Sequence, residues 1–231
     1  MTVEPRNATD PRPGRAPWWR PTRRRALIAL ALAVPIGLVA WYLGGGKWMF
    51  EPKRWGEIEP GLIYRSGQIH PWLIEDTLRE QEIAVVVDLA ADEPGRDDHD
   101  PENEVTKRLG IRKVDLFGLD GSGLGDPEIY VQAVREMHAA KQSGTRMLVH
   151  CAAGTQRTGG ATALYRMFLQ GGDGQDAYDE YMAYRGRPDS WKLWRFLNEH
   201  MATIARRLVE LDVIEKVPDP LPRFGPDKAG E

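Results

Sequence analysis

The stretch Thr145-Arg146-Met147-Leu148-Val149-His150-Cys151-Ala152-Ala153-Gly154-Thr155-Gln156-Arg157-Thr158-Gly159 decides how this chain is read. It holds the only cysteine in 231 residues, with an arginine six positions later and mostly small residues between them. Residues 146–150 have the apolar continuity of a buried strand, and Gly159-Gly160-Ala161-Thr162-Ala163-Leu164-Tyr165-Arg166-Met167-Phe168 that of a helix. A strand, a tight loop and a helix start gather successive backbone N–H groups around one point. The positive end of the helix dipole faces the same point, which makes an anion site. A thiol at the base of such a site ionises more readily than a free cysteine, whose pKa is about 8.5. Arg157 supplies a fork of donors matched to phosphate oxygens. The competing reading is an inert buried cysteine beside a surface arginine, and the ordered arrangement of all these elements argues against it.

With His before the cysteine and Thr-Gly after the arginine, this Cys-x5-Arg segment resembles the phosphate-binding loop of the cysteine-dependent protein tyrosine phosphatase superfamily. The resemblance implies that the Cys151 thiolate attacks phosphorus in line and forms a phosphocysteine, which water then hydrolyses. It also implies that the amides from Ala152, Ala153, Gly154, Thr155, Gln156 and Arg157, with the Arg157 guanidinium, hold the equatorial phosphate oxygens. His150 would lower the cysteine pKa, and a satisfied histidine at a strand end is the plain alternative. Thr158 would support the cysteine as leaving group, and an ordinary helix-start threonine is its alternative.

Upstream, Gly61-Leu62-Ile63-Tyr64-Arg65-Ser66-Gly67-Gln68 resembles the leading strand of bacterial and fungal dual-specificity-like members, and Glu82 to Leu89 fits their central strand. Asp176 to Arg185 fits the helices after the loop, so the resemblance spans roughly residues 55–200. Two features of the large tyrosine-only enzymes are missing: a Trp-Pro-Asp acid loop and a phosphotyrosine-recognition segment.

The leaving oxygen needs a proton. In compact members the acid lies about thirty residues before the cysteine, on a mobile loop, and Asp120 stands 31 positions before Cys151 in a glycine-rich stretch. Asp115, inside a strand pattern, and Asp126, which precedes Pro127 as a helix N-cap would, compete for the role. The glycines form no nucleotide-binding fingerprint. No metal or cofactor is implied. Asp97-Asp98-His99-Asp100 reads as a solvated loop, not a ligand set.

Within the loop, Ala152, Ala153, Thr155 and Gln156 add no charge to that of Arg157, which favours a substrate with one dianionic group and counts against lipid head groups. The whole chain carries −3, divided as +5 over residues 1–25 and −8 over the rest. An acidic body argues against nucleic acid as a partner. A phosphorylated protein or a small phosphomonoester is the expected substrate.

Residues Ala26 to Leu43 are uncharged and span about 27 Å as a helix, enough for a short membrane crossing. Arg20, Arg23, Arg24 and Arg25 flank one end, with Trp41, Tyr42 and Trp48 near the other. The positive-inside rule puts the arginines in the cytoplasm and the rest of the chain beyond the membrane. A cleaved signal peptide is the alternative, though no clear small-x-small cleavage site follows. With one cysteine there is no intramolecular disulfide.

The expected organisation is a disordered basic segment 1–25, a transmembrane helix 26–43, a linker 44–54, a catalytic domain 55–216 and a flexible proline-rich tail 217–231. Strands alternate with helices through the domain. That pattern predicts an α/β fold with a central, mostly parallel sheet flanked by helices. Three other functions compete with a phosphatase of this class: a low-molecular-weight phosphatase or arsenate reductase, a sulfurtransferase, and a non-catalytic phosphate-binding module. The first needs its cysteine near the domain start, and the second fits the Arg-Thr-Gly helix start less well.

Overall fold

Alternation along Met147–Cys151 explains the core. In the computed structural model, which describes residues 23–90, 99–186 and 190–226, Met147, Val149 and Cys151 face one apolar cluster and Leu148 the other. A strand buried on both faces belongs in the middle of a parallel sheet. The sheet has five strands: β1 (Gly56–Glu59), β2 (Ile63–Gly67), β3 (Val85–Asp88), β4 (Arg112–Asp115) and β5 (Met147–Cys151). Their spatial order is β1-β2-β5-β3-β4, with only β1 antiparallel. This is the α/β architecture expected from the alternation. The unexpected element is β1, four residues with glutamates at both ends of its apolar Ile58. It is too short to show a period, and its charges suit an edge strand.

Helices cover both faces. Against one lie α4 (Pro127–Ser143), α5 (Gln156–Leu169), α6 (Gly174–Ala183) and α7 (Trp191–Glu210). Against the other lie α2 (Ile74–Glu80) and α3 (His99–Leu109), with Leu78 and Val105 in its smaller cluster. Asp126 caps α4 by accepting a hydrogen bond from the Glu128 amide at 2.9 Å, with Pro127 in the first turn, as the sequence implied. The small residues opening α5 allow close packing. A Cβ on Gly159 would stand 2.6 Å from the Tyr181 ring, and one on Gly160 2.9 Å from that of Tyr130.

The chain divides into two units, the second starting at Trp48. In the first, helix α1 (Arg23–Leu43) carries the apolar run, of mean hydropathy 2.3. None of that run is buried, unlike the core helix of a soluble protein. It is a candidate membrane span by length and composition, and a signal sequence passes the same test.

Lys53 and Arg54, within the expected linker 44–54, belong to the second unit and bond to the cysteine loop. Within the expected tail, the described part up to residue 226 makes contacts with the body. Phe224 is fully buried against Tyr181, and its backbone exchanges two hydrogen bonds with the Asn198 amide, at 2.8 and 2.9 Å. Proline content suggested a free coil, whereas one aromatic ring in a closed site outweighs it. Of the polar run at 97–100, residues 97 and 98 lie outside the described residues, and α3 begins at His99.

Removing the Phe224 ring leaves a cavity in the core. Phe224→Ala is expected to cost about 3 kcal/mol and lower the melting temperature by roughly 10 °C. Thermal unfolding of the full chain in detergent, followed by circular dichroism, checks it; an unchanged midpoint contradicts the packing described.

Candidate active site

Cys151 ends β5 and α5 begins at Gln156, so Ala152 to Thr155 turn between a buried strand and a helix N-terminus. The thiol is 1% exposed and accepts a hydrogen bond from the Gly154 amide at 3.2 Å. Burial pushes its pKa up. The Thr158 hydroxyl, the Arg157 guanidinium and the Thr158 and Gly154 amides outweigh that and hold it below the ordinary thiol range. Arg157 and Thr158 are both buried. Thr158 Oγ1 is buried and makes no hydrogen bond among the described residues, and its hydroxyl favours the Cys151 thiolate.

The outer side of the loop is as organised as the inner. The Ala152 carbonyl accepts from Lys53 Nζ at 3.3 Å and from the Gln68 amide at 3.2 Å. The Ala153 carbonyl accepts from Arg54, and the Gly154 carbonyl from Arg65 Nη2 at 3.0 Å. Each cation holds a peptide oxygen away from the cysteine. Two glycines make the approach possible: a Cβ on Gly67 would meet the Ala153 oxygen at 2.7 Å, and one on Gly154, at φ +72°, the Gly67 nitrogen at 2.4 Å. Arg65 is 1% exposed, and its guanidinium lies 3.9 Å from the centre of the Tyr184 ring.

Lys53, Arg54 and Arg65 are the functional residues that reading the sequence missed. Arg65 had a signal, a charged residue in the Ile63–Gly67 segment where every position is buried. Lys53 and Arg54 had none.

The three acid candidates separate. Asp126 Oδ1 is engaged as the α4 cap, and Asp115 pairs with Lys113 at 2.8 Å. Asp120 is exposed on the loop between β4 and α4, and its Oδ1 accepts from the Ser122 and Leu124 amides at 2.8 and 3.0 Å. Its neighbours Gly121 and Ser122 line the same cavity as the loop residues Ala153, Thr155 and Gln156.

His150 points to the opposite face of the sheet from Cys151. Its Nε2 lies 3.2 Å from Glu102 on α3, and Glu102 also accepts from Gln68 Nε2 at 2.9 Å. Burial pushes the Glu102 carboxyl up, but His150 and Lys113 outweigh it and hold it below the ordinary carboxylate range. Asp88, Glu102 and His150 place ligand atoms within 4.8 Å of one another. Lys113 Nζ sits 3.4 Å from Glu102 and 3.9 Å from Asp88, so an ammonium already supplies the positive charge a metal would bring.

A cavity of about 650 Å³ opens at the loop, also lined by Arg54, Arg185, Ser190, Lys192 and Leu193. The loop thus joins an ionisable thiol, convergent amides and a buried guanidinium, the constellation of the cysteine-dependent tyrosine and dual-specificity phosphatase superfamily. More closely, the profile described as "Tyrosine phosphatase family" matches residues 44–212, and the chain belongs to that family. Among curated proteins, no sequence relative matches. Similar solved structures include TpbA of P. aeruginosa, at 20% identity and TM-score 0.51, covering 66% of this chain and 87% of that one. The catalytic core of the S. cerevisiae PP-IP phosphatase SIW14, with citrate, is 18% identical at TM-score 0.52, covering 68% and 93%. PTPMT1 in complex with PI(5)P is 18% identical at TM-score 0.53, covering 67% and 99%. At these identities the likeness shows the fold.

Thr158→Ala removes a hydroxyl that favours the thiolate. The inflection in the pH profile of Cys151 alkylation by iodoacetamide is then expected to rise from a wild-type value below that of a free thiol. Coincident profiles would refute the role given to the hydroxyl.

Proposed function

We propose that this protein hydrolyses phosphomonoesters through a phosphocysteine intermediate, in the manner of a protein tyrosine or dual-specificity phosphatase. The single observation that carries the reading is the buried Cys151 thiol, held below its ordinary pKa at the focus of the loop amides. The thiolate attacks phosphorus, the P–O bond to the leaving group breaks, and the Asp120 carboxyl protonates the departing oxygen. Water then attacks the phosphocysteine and gives its proton to the Asp120 carboxylate, and sulfur departs as a thiolate supported by the Thr158 hydroxyl. Arg157 and the amides from Ala152 to Arg157 bind the equatorial oxygens throughout. His150 acts from behind the loop, fixing the strand end through Glu102 and Gln68. The cation-held carbonyls support this reading, since a plain structural turn has no need to expel three successive oxygens from one side.

Helix α1 serves as a membrane anchor with residues 1–25 in the cytoplasm and the catalytic unit on the far side. Its uncharged, unburied 18-residue run and the flanking arginines support this.

Hydrolysis of p-nitrophenyl phosphate by the full chain in detergent, with chelator present, tests the chemistry. Cys151→Ser is expected to lower turnover at least about a thousandfold. Asp120→Asn is expected to cost about a hundredfold on an alkyl phosphate and less on the nitrophenyl ester, whose leaving group needs little protonation. Asp126→Asn should affect only stability. Turnover that survives Cys151→Ser refutes the mechanism, and a larger loss at Asp126 than at Asp120 reassigns the acid.

For the anchor, the full chain is expected to resist alkaline carbonate extraction from bacterial membranes. Protease added outside spheroplasts is expected to digest the catalytic unit. Protection of that unit reverses the orientation.

A further inference from the structure

We propose that Arg54, Arg185 and Lys192 form a second phosphate subsite beside the Cys151 loop, so that the favoured substrate is a compact phosphomonoester bearing a second phosphate group. The inference rests on the phosphatase reading above and adds the substrate class.

Reading the loop alone suggested a single dianionic group, because the loop carries no charge beyond Arg157. Tertiary structure changes that balance. Arg54 precedes β1, Arg185 follows α6 and Lys192 stands in the first turn of α7, and all three line the cavity shared by Ala153, Thr155 and Gln156. Among the described residues, none of the three pairs with a carboxylate. Elsewhere on this acidic body cations find partners: Arg166 with Glu180, Arg207 with Glu128, Lys141 with Glu59. Among the described residues, three cations without a carboxylate partner therefore line the cavity beside the Cys151 loop.

Their arrangement is costly without an anion. After burial, the charge of Arg185 is the largest influence depressing the proton affinity of Arg54, so the two guanidinia, which line one cavity, repel each other. Both residues also hold left-handed backbone, with φ of +53° and +62°, where a side chain is strained. Arg54 commits Nη1 to the Ala153 carbonyl and makes no other hydrogen bond to the protein among the described residues. An anion between the arginines relieves the repulsion, and guanidinium forks match phosphate oxygens. A dianionic phosphate answers three positive charges better than one carboxylate does. A cavity of about 650 Å³ lies in the range for small ligands.

Steady-state kinetics of the full chain in detergent at low ionic strength test this. The quantity read is kcat/KM for 1,3-phenylene bisphosphate divided by that for phenyl phosphate. A ratio of at least about tenfold is expected, beyond the factor of about two from having two equivalent phosphates. In Arg185→Ala/Lys192→Ala it is expected to fall to about two. A wild-type ratio near two, or a high ratio that survives the double substitution, overturns the proposal. The same comparison with a phosphatidylinositol monophosphate in mixed micelles and its water-soluble head group shows whether the second phosphate comes from a lipid or a free ester. If a phosphotyrosine peptide flanked by glutamates gains as much as the bisphosphate and loses it in the same variant, the subsite reads peptide carboxylates and the phosphate assignment is overturned. Calorimetric dissociation constants of both phenyl compounds on the Cys151→Ser chain read the subsite without turnover. An inactive wild type whose Cys151→Ser form still prefers the bisphosphate would overturn the phosphatase reading and keep the subsite.

Discussion

A peptide group cannot turn its N–H inward without turning its C=O outward, and the site rests on that constraint. Amides converging on one anion leave a matching set of carbonyls on the outer side of the loop, buried against the sheet edge. Unsatisfied, each costs about 1–3 kcal/mol. Here the Ala152, Ala153 and Gly154 oxygens go to Lys53, Arg54 and Arg65. The same cations add positive potential behind the loop, and the thiolate in turn raises the proton affinity of Arg54 and Arg65. Loop conformation and thiol ionisation are therefore one electrostatic problem with one solution.

That solution dictates features of the fold that otherwise look incidental. Gly67 must be a glycine because β2 passes so close to the loop, and the parallel register pairs Gly67 with Cys151. Arg65 must cross a buried layer, so Tyr184 covers its guanidinium and Glu180 lies near enough to favour its charge. On the other face, strand alternation turns His150 toward Glu102, Gln68 and Lys113. Gln68 links the two sides, since its side chain reaches Glu102 while its amide holds the Ala152 oxygen. The strand end carrying Cys151 is thus braced on both faces.

Much of this was legible in order along the chain, and the rest was not for definite reasons. Met147 to Phe168 showed a strand, a small-residue loop and a helix because every step there is local: apolar alternation, compact side chains, a helix start. The Asp126-Pro127 cap was equally local. Strand β1 escaped because four residues with one apolar position carry no period. Lys53 and Arg54 escaped because they look like linker, and only the antiparallel β1–β2 pairing brings the chain before β1 back to a loop about a hundred residues away. Phe224 escaped because proline content describes the backbone of a tail and says nothing of where one ring docks.

The same distinction separates chemistry from selectivity. On the proposed reading, residues within Cys151 to Thr158 define what happens to a phosphate, and their contiguity makes the reaction readable from eight residues. Selectivity depends on what surrounds the mouth, and those residues come from positions 54, 120–122, 185 and 190–193. Each lies outside the regular strands or at a helix's start, in segments whose sequence can vary without disturbing the sheet. A loop without lysine is therefore no guide to the charge of the substrate, because the field at the mouth sums cations that the fold gathers from distant parts of the chain. An acidic body strengthens the contrast: over residues 26–231 the charge is −8, yet among the described residues its carboxylates pair with cations such as Arg166 and Arg207 and not with Arg54, Arg185 or Lys192.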